Sequence, residues 1–178
     1  MPTSSSESND LERESASTSR TTDTRIRVGI ADYTVTTAPG VLSTSGLGSC
    51  LGIVLYDQST AVVGLLHAML PEATADCTSA AKFVDAGIDR LLTEMQEAGA
   101  TLETVAAKIA GGSTMLDLTT TGQSIGDRNV EATREALAVH GIPLVAEDVG
   151  GEHGRSIRFD ADTFELQIKT AHQGECVI

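Results

Sequence analysis

Two nearly continuous apolar runs, residues 51–56 and 61–69, dominate the hydrophobic pattern of the chain. Both have the length of a strand, and the polar segment between them, residues 57–60, contains the turn formers Asp and Ser. The pattern therefore predicts a hairpin of two buried strands. Further upstream, apolar residues alternate with polar or small ones over residues 26–35, which predicts one or two earlier strands.

A first helix is predicted over residues 79–98, where apolar residues recur at helical spacing. Thr78 or Ser79 is available as its N-cap, and Gly99 provides the C-terminal stop. This segment gives the clearest helical signal in the chain.

A second helix is predicted over residues 127–140. Near its start, Asp127 or Asn129 is interpreted as a cap, because short polar side chains satisfy the free N–H groups of a first helical turn. Arg128 lies between them and is interpreted as a solvated or substrate-facing guanidinium.

Short strands are predicted over residues 105–110 and 144–147, and a last hairpin over residues 156–159 and 164–169. Strands and helices therefore interleave along the chain. This order predicts the α/β class, as a layered mixed β-sheet domain with flanking helices.

The ends of the chain differ from its centre. Residues 1–24 contain twelve Ser or Thr, five acidic residues and almost nothing apolar, so burial cannot offset the entropy cost of ordering them. We predict a disordered tail there, a folded domain over residues 25–170 and a C-terminal tail over residues 171–178.

The charge and aromatic content exclude several classes of ligand. The chain has 25 acidic and 12 basic residues, a formal net charge of -13, and no Trp. Such a surface repels phosphate backbones and anionic lipid, and it offers few rings for stacking on bases. We therefore expect no nucleic-acid partner, and no membrane insertion, since no apolar run reaches the roughly 18 residues of a membrane span.

The three cysteines, Cys50, Cys77 and Cys176, are an odd number without the spacing of a zinc site. This favours a reducing, cytoplasmic location over a disulfide framework. No histidine pair has metal-ligand spacing either, so neither a metal nor another cofactor is expected.

Cys50 and His67 are the candidate reactive pair. Cys50 immediately precedes the first apolar run, and His67 lies within the second, where an unpaired imidazole is costly. A free thiol of pKa about 8.5 is only a few per cent ionised near neutrality, so a nucleophilic cysteine needs a base beside it. Neighbouring strands of one hairpin can supply that pairing. The alternative for an isolated cysteine is a small buried apolar side chain.

The segment before Cys50 supplies further candidate groups. Gly46 and Gly48 allow a tight turn whose N–H groups point at an oxyanion formed at the sulfur. Either Thr44 or Ser45 can orient the imidazole through its hydroxyl. Redox sensing by Cys50 is another hypothesis, for which only Cys77 could act as the resolving thiol.

Six motifs in one order resemble those of the CheD family of chemoreceptor glutamine deamidases. They are VGIAD (28–32), GLGSC (46–50), GLLHAMLP (64–71), AKIAGG (107–112), IGDRN (125–129) and AEDVGG (146–151). They extend through nearly the whole predicted domain. The resemblance implies that residues 25–170 are a catalytic domain whose catalytic residues are Cys50, His67 and Thr44.

The resemblance further implies a layered α/β fold similar to that of the cytotoxic necrotizing factor toxins. The implied reaction converts glutamine side chains on the cytoplasmic helices of methyl-accepting receptors to glutamate, with release of ammonia and without a cofactor. Some members of the family also look able to hydrolyse receptor glutamate methyl esters, and many bind the phosphatase CheC. A regulatory binding module for a CheC-type phosphatase is therefore the alternative function.

Overall fold

Two five-stranded sheets pack face to face in the computed structural model, which describes residues 24–114 and 122–178. The central sheet has the order β2 (Asp32–Thr36), β5 (Val62–Ala68), β4 (Leu51–Asp57), β6 (Val105–Gly111) and β7 (Leu144–Val149). The outer sheet has the order β1 (Thr24–Arg27), β3 (Gly40–Leu47), β8 (Arg155–Asp160), β9 (Leu166–Thr170) and β10 (Gly174–Val177). Both sheets are mixed, because β1 pairs parallel with β3 and β6 pairs parallel with β7.

Strands β4 and β5 form the antiparallel hairpin that the two apolar runs predict. Every residue of both strands is buried, because the outer sheet covers one face of the central sheet and the two helices cover the other. Burial on both faces explains why these strands are continuously apolar instead of alternating. The α/β class with mixed sheets is confirmed, with two sheets in the layers.

The first helix, α1, spans Val84–Glu97 and follows a short 3-10 helix over Ala80–Lys82. Phe83 occupies its N-cap position without a side-chain cap, so the predicted cap at Thr78 or Ser79 is wrong. Its end is confirmed, since Gly99 has φ +103°, a conformation that glycine adopts without steric cost.

The second helix, α2, spans Ile125–Val139, and its cap is Ser124. The Ser124 hydroxyl oxygen accepts from the backbone N–H of Asp127 at 2.9 Å and donates to the Asp127 carboxylate at 2.7 Å. Asp127 therefore supports the cap from within the first turn, and the predicted cap at Asp127 or Asn129 is wrong.

Strand β3 is one element that the hydrophobic pattern did not predict. Its inward residues, such as Leu42 and Thr44, are buried and alternate with half-buried residues, such as Ser43 and Ser45. A break in the register with β8 follows, between Ser45 and Leu47. Because five of the eight residues of the strand are Ser, Thr or Gly, this segment resembles a loop in sequence.

The two ends of the chain differ in how far the structure describes them. The predicted C-terminal tail, residues 171–178, contributes β10, which pairs antiparallel with β9. Residues 1–23, nearly all of the predicted N-terminal tail, lie outside the described residues. Within the ranges that the structure describes, no helix is both long and apolar enough to cross a membrane.

Candidate active site

His67 faces the space between the two sheets. In the ladder between β4 and β5 it lies directly opposite Gly52. Its neighbours at two-residue spacing, Val63 and Leu65, belong to the hydrophobic cluster between the sheets, which identifies the face of β5 that carries the imidazole. The side chain is fully buried, at 0 % exposure.

Thr44 reaches the same space from β3 of the outer sheet. Its hydroxyl oxygen lies 2.7 Å from His67 Nδ1 and 2.8 Å from the backbone carbonyl oxygen of Val28. The carbonyl can only accept, so the single hydroxyl proton is donated to Val28, and Nδ1–H must be the donor to Thr44. This network places the lone pair of the imidazole on Nε2.

His67 Nε2 is therefore a free base held in place. Among the described residues it has no hydrogen-bond partner, although it is shielded from solvent. Burial lowers the pKa of the His67 imidazole below its ordinary value of 6.5, because the charged form loses its hydration. The ring is thus neutral near pH 7 and ready to accept a proton at Nε2.

Cys50 lies one residue before β4 and packs against the same cluster between the sheets. It is half-buried, and it lies two positions before Gly52, the residue opposite His67. Side chains on neighbouring strands at such a diagonal offset are within reach of each other. Cys50 and His67 therefore lie on the same face of the central sheet, and Thr44 faces them from the outer sheet.

The resting pair is neutral. Burial raises the pKa of the Cys50 thiol above its ordinary value of 9.0, although the residue's own backbone N–H opposes the shift. The pKa of His67 is lowered at the same time. Burial thus favours the neutral form of each side chain, the thiol of Cys50 and the imidazole of His67.

The loop that carries Cys50 is fixed through three successive carbonyl groups. Gly48 O accepts from the Ser113 N–H at 2.8 Å, Ser49 O from Asn129 Nδ2 at 2.8 Å, and Cys50 O from the Gly112 N–H at 2.9 Å. These three hydrogen bonds hold the backbone of residues 48–50 in place.

Two N–H groups of this loop suit an oxyanion. The Gly48 N–H donates to Gly46 O at 3.1 Å, whereas the N–H groups of Ser49 and Cys50 donate to no backbone carbonyl group in the described part of the chain. Of the N–H groups in this loop, those of Ser49 and Cys50 are therefore the candidates for an oxyanion site.

Ser45 is excluded as the residue that orients His67. It accepts from Arg27 Nη2 at 3.1 Å and lies on the opposite face of β3 from Thr44. Of the remaining predicted groups, Arg128 is exposed and the Cys77 thiol donates to Ser79 O at 3.3 Å. No cluster of three or more His, Cys, Asp or Glu side chains that suits a metal occurs within residues 24–114 and 122–178.

Sequence reasoning missed the contact that Asn129 makes with the loop that carries Cys50. The available signal was its spacing, since Asn129 shares the buried face of α2 with Gly126, Val130, Thr133 and Leu137. An amide on the buried face of an amphipathic helix requires a partner, which its interpretation as a cap did not provide.

The fold and the site define a two-sheet α/β protein that presents a half-buried cysteine next to a buried neutral histidine. Residues 69–170 match the family model described as CheD chemotactic sensory transduction. The chain belongs to the CheD family. The matched span contains Asn129 and begins two residues after His67, so the three candidate catalytic residues precede it.

Relatives of known name extend the match to the region of the candidate residues. The chain is 53 % identical over 154 residues to the probable chemoreceptor glutamine deamidase CheD of Haloarcula marismortui, covering 86 % of this chain and 89 % of the relative. It is 42 % identical over 158 residues to the chemoreceptor glutamine deamidase CheD of Bacillus subtilis, covering 86 % and 95 %.

A solved structure shares the fold at low sequence identity. The crystal structure of a Neisseria meningitidis protein of the DUF152 family superposes with a TM-score of 0.51 and 10 % identity, covering 73 % of this chain and 65 % of that one. This likeness concerns the layered architecture alone.

Proposed function

We propose that the chain is a cysteine-dependent deamidase that converts glutamine side chains of chemotaxis receptors to glutamate. The relatives that cover more than four fifths of the chain carry the name chemoreceptor glutamine deamidase. The observation that carries the proposal is the Thr44–His67 hydrogen bond, because it leaves Nε2 as the free base on the face that also carries Cys50.

Attack begins when a glutamine side chain reaches the sulfur. His67 Nε2 takes the thiol proton as the Cys50 sulfur bonds to the carboxamide carbon, and the N–H groups of Ser49 and Cys50 stabilise the oxyanion. The imidazolium then gives its proton to the departing nitrogen. Ammonia leaves, and a thioester remains on Cys50.

Hydrolysis completes the cycle. The neutral imidazole removes a proton from a water molecule, which attacks the thioester carbonyl, and the imidazolium returns that proton to the sulfur. The products are glutamate and the free thiol. Thr44 acts throughout by holding Nδ1–H, so Nε2 remains the atom that exchanges protons. No step requires a cofactor.

The two alternative functions predict different outcomes. A methyl ester of receptor glutamate has the same reactive carbonyl and releases methanol in place of ammonia, so it is a second substrate for the same residues. A pure binding module for a CheC-type phosphatase requires no base at His67. The buried, tautomer-fixing pair of Thr44 and His67 supports catalysis, because such a pair costs stability without serving a binding surface.

The test uses a chemoreceptor cytoplasmic fragment co-expressed with the wild-type chain or a variant, followed by mass spectrometry of its helical peptides. Glutamine-to-glutamate conversion should be lost completely with Cys50→Ala and lowered by about 10²- to 10⁴-fold with His67→Ala, the usual contribution of a general base. Thr44→Ala should lower it less. Undiminished conversion by Cys50→Ala would refute the proposal, and tight phosphatase binding without conversion of any peptide would favour the binding module.

A further inference from the structure

The Asn129 side chain joins the two segments that carry Cys50 and His67. Its Nδ2 donates to Ser49 O at 2.8 Å and to Met69 O at 2.9 Å. Ser49 immediately precedes Cys50, and Met69 follows His67 by two residues. Asn129 is fully buried at 0 % exposure, so both hydrogen bonds are shielded from competing water.

These two bonds occur where the backbone pairing of the hairpin stops. The last pair of the ladder between β4 and β5 is Leu51 with Ala68. Beyond it the chains separate, and the Met69 N–H donates instead to Lys82 O at 2.9 Å. The amide of Asn129 thus replaces the next cross-strand connection, at the position where the sulfur must be held.

The Asn129 side chain makes both hydrogen bonds through its amide nitrogen. Asn129 Oδ1 is buried and has no partner within the described residues. Rotating the amide would set Oδ1 against two carbonyl oxygens and lose both hydrogen bonds, so the orientation is fixed. A carboxylate of the same shape cannot replace it, because it offers no donor and repels both carbonyl groups.

We propose that Asn129 is a positioning residue for the cysteine reaction, holding the Ser49–Cys50 peptide against the end of β5 so that the sulfur stays within reach of His67 Nε2. This inference rests on the proposed deamidase function. Asn129 touches neither the substrate nor the reacting atoms, and it acts through the loop that carries the sulfur. Small displacements of a reacting group lower the rate steeply. Loss of the Asn129 side chain should therefore lower kcat far more than it raises KM.

The test is a graded series at residue 129, assayed for ammonia release from a glutamine-containing receptor fragment. Asn129→Ser keeps one donor, Asn129→Ala keeps none, and Asn129→Asp adds repulsion. We expect kcat to fall in that order, by at least about tenfold for Asn129→Ala, with KM within about twofold of wild type. If one member does not fold, the remaining two still test the order.

Two further measurements separate positioning from general damage to α2. The His67 ring should keep the tautomer with its proton on Nδ1 throughout the series, since none of the substitutions removes a hydrogen bond of Thr44. Thr133→Val is the matched control: Thr133 is equally buried and donates to Asn129 O at 2.8 Å, so the variant perturbs the same helix while leaving both Nδ2 bonds. It should retain kcat within about twofold while losing about 1 kcal/mol of stability.

The outcomes distinguish this inference from the proposed function. A folded Asn129→Ala variant with wild-type kcat would overturn the positioning role while leaving the deamidase intact. An equal loss of kcat in Thr133→Val would also overturn it, because general loosening of α2 would then explain the effect. A wild-type chain that releases no ammonia from any receptor fragment would instead refute the deamidase function itself.

Discussion

Gly52 lies directly opposite His67 in the ladder between β4 and β5, and the Ile157 and Leu47 side chains of the outer sheet occupy the space that a Cβ atom would take at that position. A Cβ atom on residue 52 would come within 2.5 Å of Ile157 Cδ1 and 3.1 Å of Leu47 Cδ1. The absent side chain therefore lets the outer sheet, with Thr44 on it, approach the face of the central sheet that carries the imidazole.

Gly52→Ala should consequently destabilise the fold and impair the site together. Overpacking of this kind costs about 1–3 kcal/mol, and the outer sheet should move away from His67. We expect urea unfolding to show that loss of stability, and deamidation to fall as the Thr44–His67 bond lengthens. Gly99→Ala is the control for backbone strain without overpacking, because residue 99 has φ +103° and no atom lies within 4 Å of the added Cβ. If Gly52→Ala kept full stability, the close approach of the sheets would be wrong.

Thr44 should act through the tautomer of His67. Thr44→Val removes the hydroxyl acceptor and frees the ring to place its proton on either nitrogen, so we expect the imidazole nitrogen spectrum to show a mixture of tautomers and deamidation to fall. Thr44→Ser restores an acceptor at the same position and should recover most of the activity. A Thr44→Val variant that retained a single tautomer would show that another group fixes the ring.

The pH dependence of kcat/KM should report a neutral resting pair. Burial lowers the pKa of His67 below 6.5 and raises that of Cys50 above 9.0. The active form needs an unprotonated imidazole, so kcat/KM should rise with pH through a pKa below 6.5 and stay level toward pH 9. The ultraviolet absorbance of wild type minus Cys50→Ala should show no thiolate at pH 7. Thiolate absorbance at pH 5 would instead indicate a preformed ion pair.

Asp57 should stabilise the β4–β5 hairpin in a pH-dependent way. Burial alone raises the pKa of its carboxyl, but hydrogen bonds from Ser59, Thr101 and Thr60 outweigh burial and hold the pKa well below its ordinary value of 3.8. Asp57→Asn should therefore cost about 2–3 kcal/mol in the free energy of unfolding at pH 7.

The sign of that effect follows from the lowered pKa. The contribution of the ionised carboxylate is complete above the unfolded-state pKa near 3.8 and is lost as the pH falls through the lower folded-state pKa. Urea unfolding of wild type and Asp57→Asn should thus show a constant difference from pH 7 to 5 that shrinks below pH 3.8. The exposed Asp162→Asn serves as the control and should show little difference. A pH-independent difference would contradict this account.

Sequence alone predicted the helices and strands that have the clearest hydrophobic patterns. The hairpin of β4 and β5 and both helices follow from long apolar runs or clear helical spacing. The motifs also singled out Cys50, His67 and Thr44, which the structure places in the space between the two sheets. Strand β3 was missed because its Ser and Gly residues resemble a loop, and its role depends on a partner strand more than 100 residues later in the chain.

The polar contacts were harder to predict because they depend on three-dimensional placement. Thr44 and Ser45 are neighbours in sequence, and only the pleat of β3 decides which hydroxyl meets the imidazole. Asn129 reaches Ser49 across 80 residues of chain, a separation that no local pattern reveals. The sequence therefore provided the candidate reacting side chains but not the contact of Asn129 with the loop that carries Cys50.

The burial of His67 Nε2 restricts how a molecule can reach the proposed base. In the resting protein this nitrogen is inaccessible to bulk solvent, while the sulfur beside it is partly exposed. For the proposed reaction, a substrate or water molecule must therefore reach this nitrogen from the side of the site on which the partly exposed Cys50 lies.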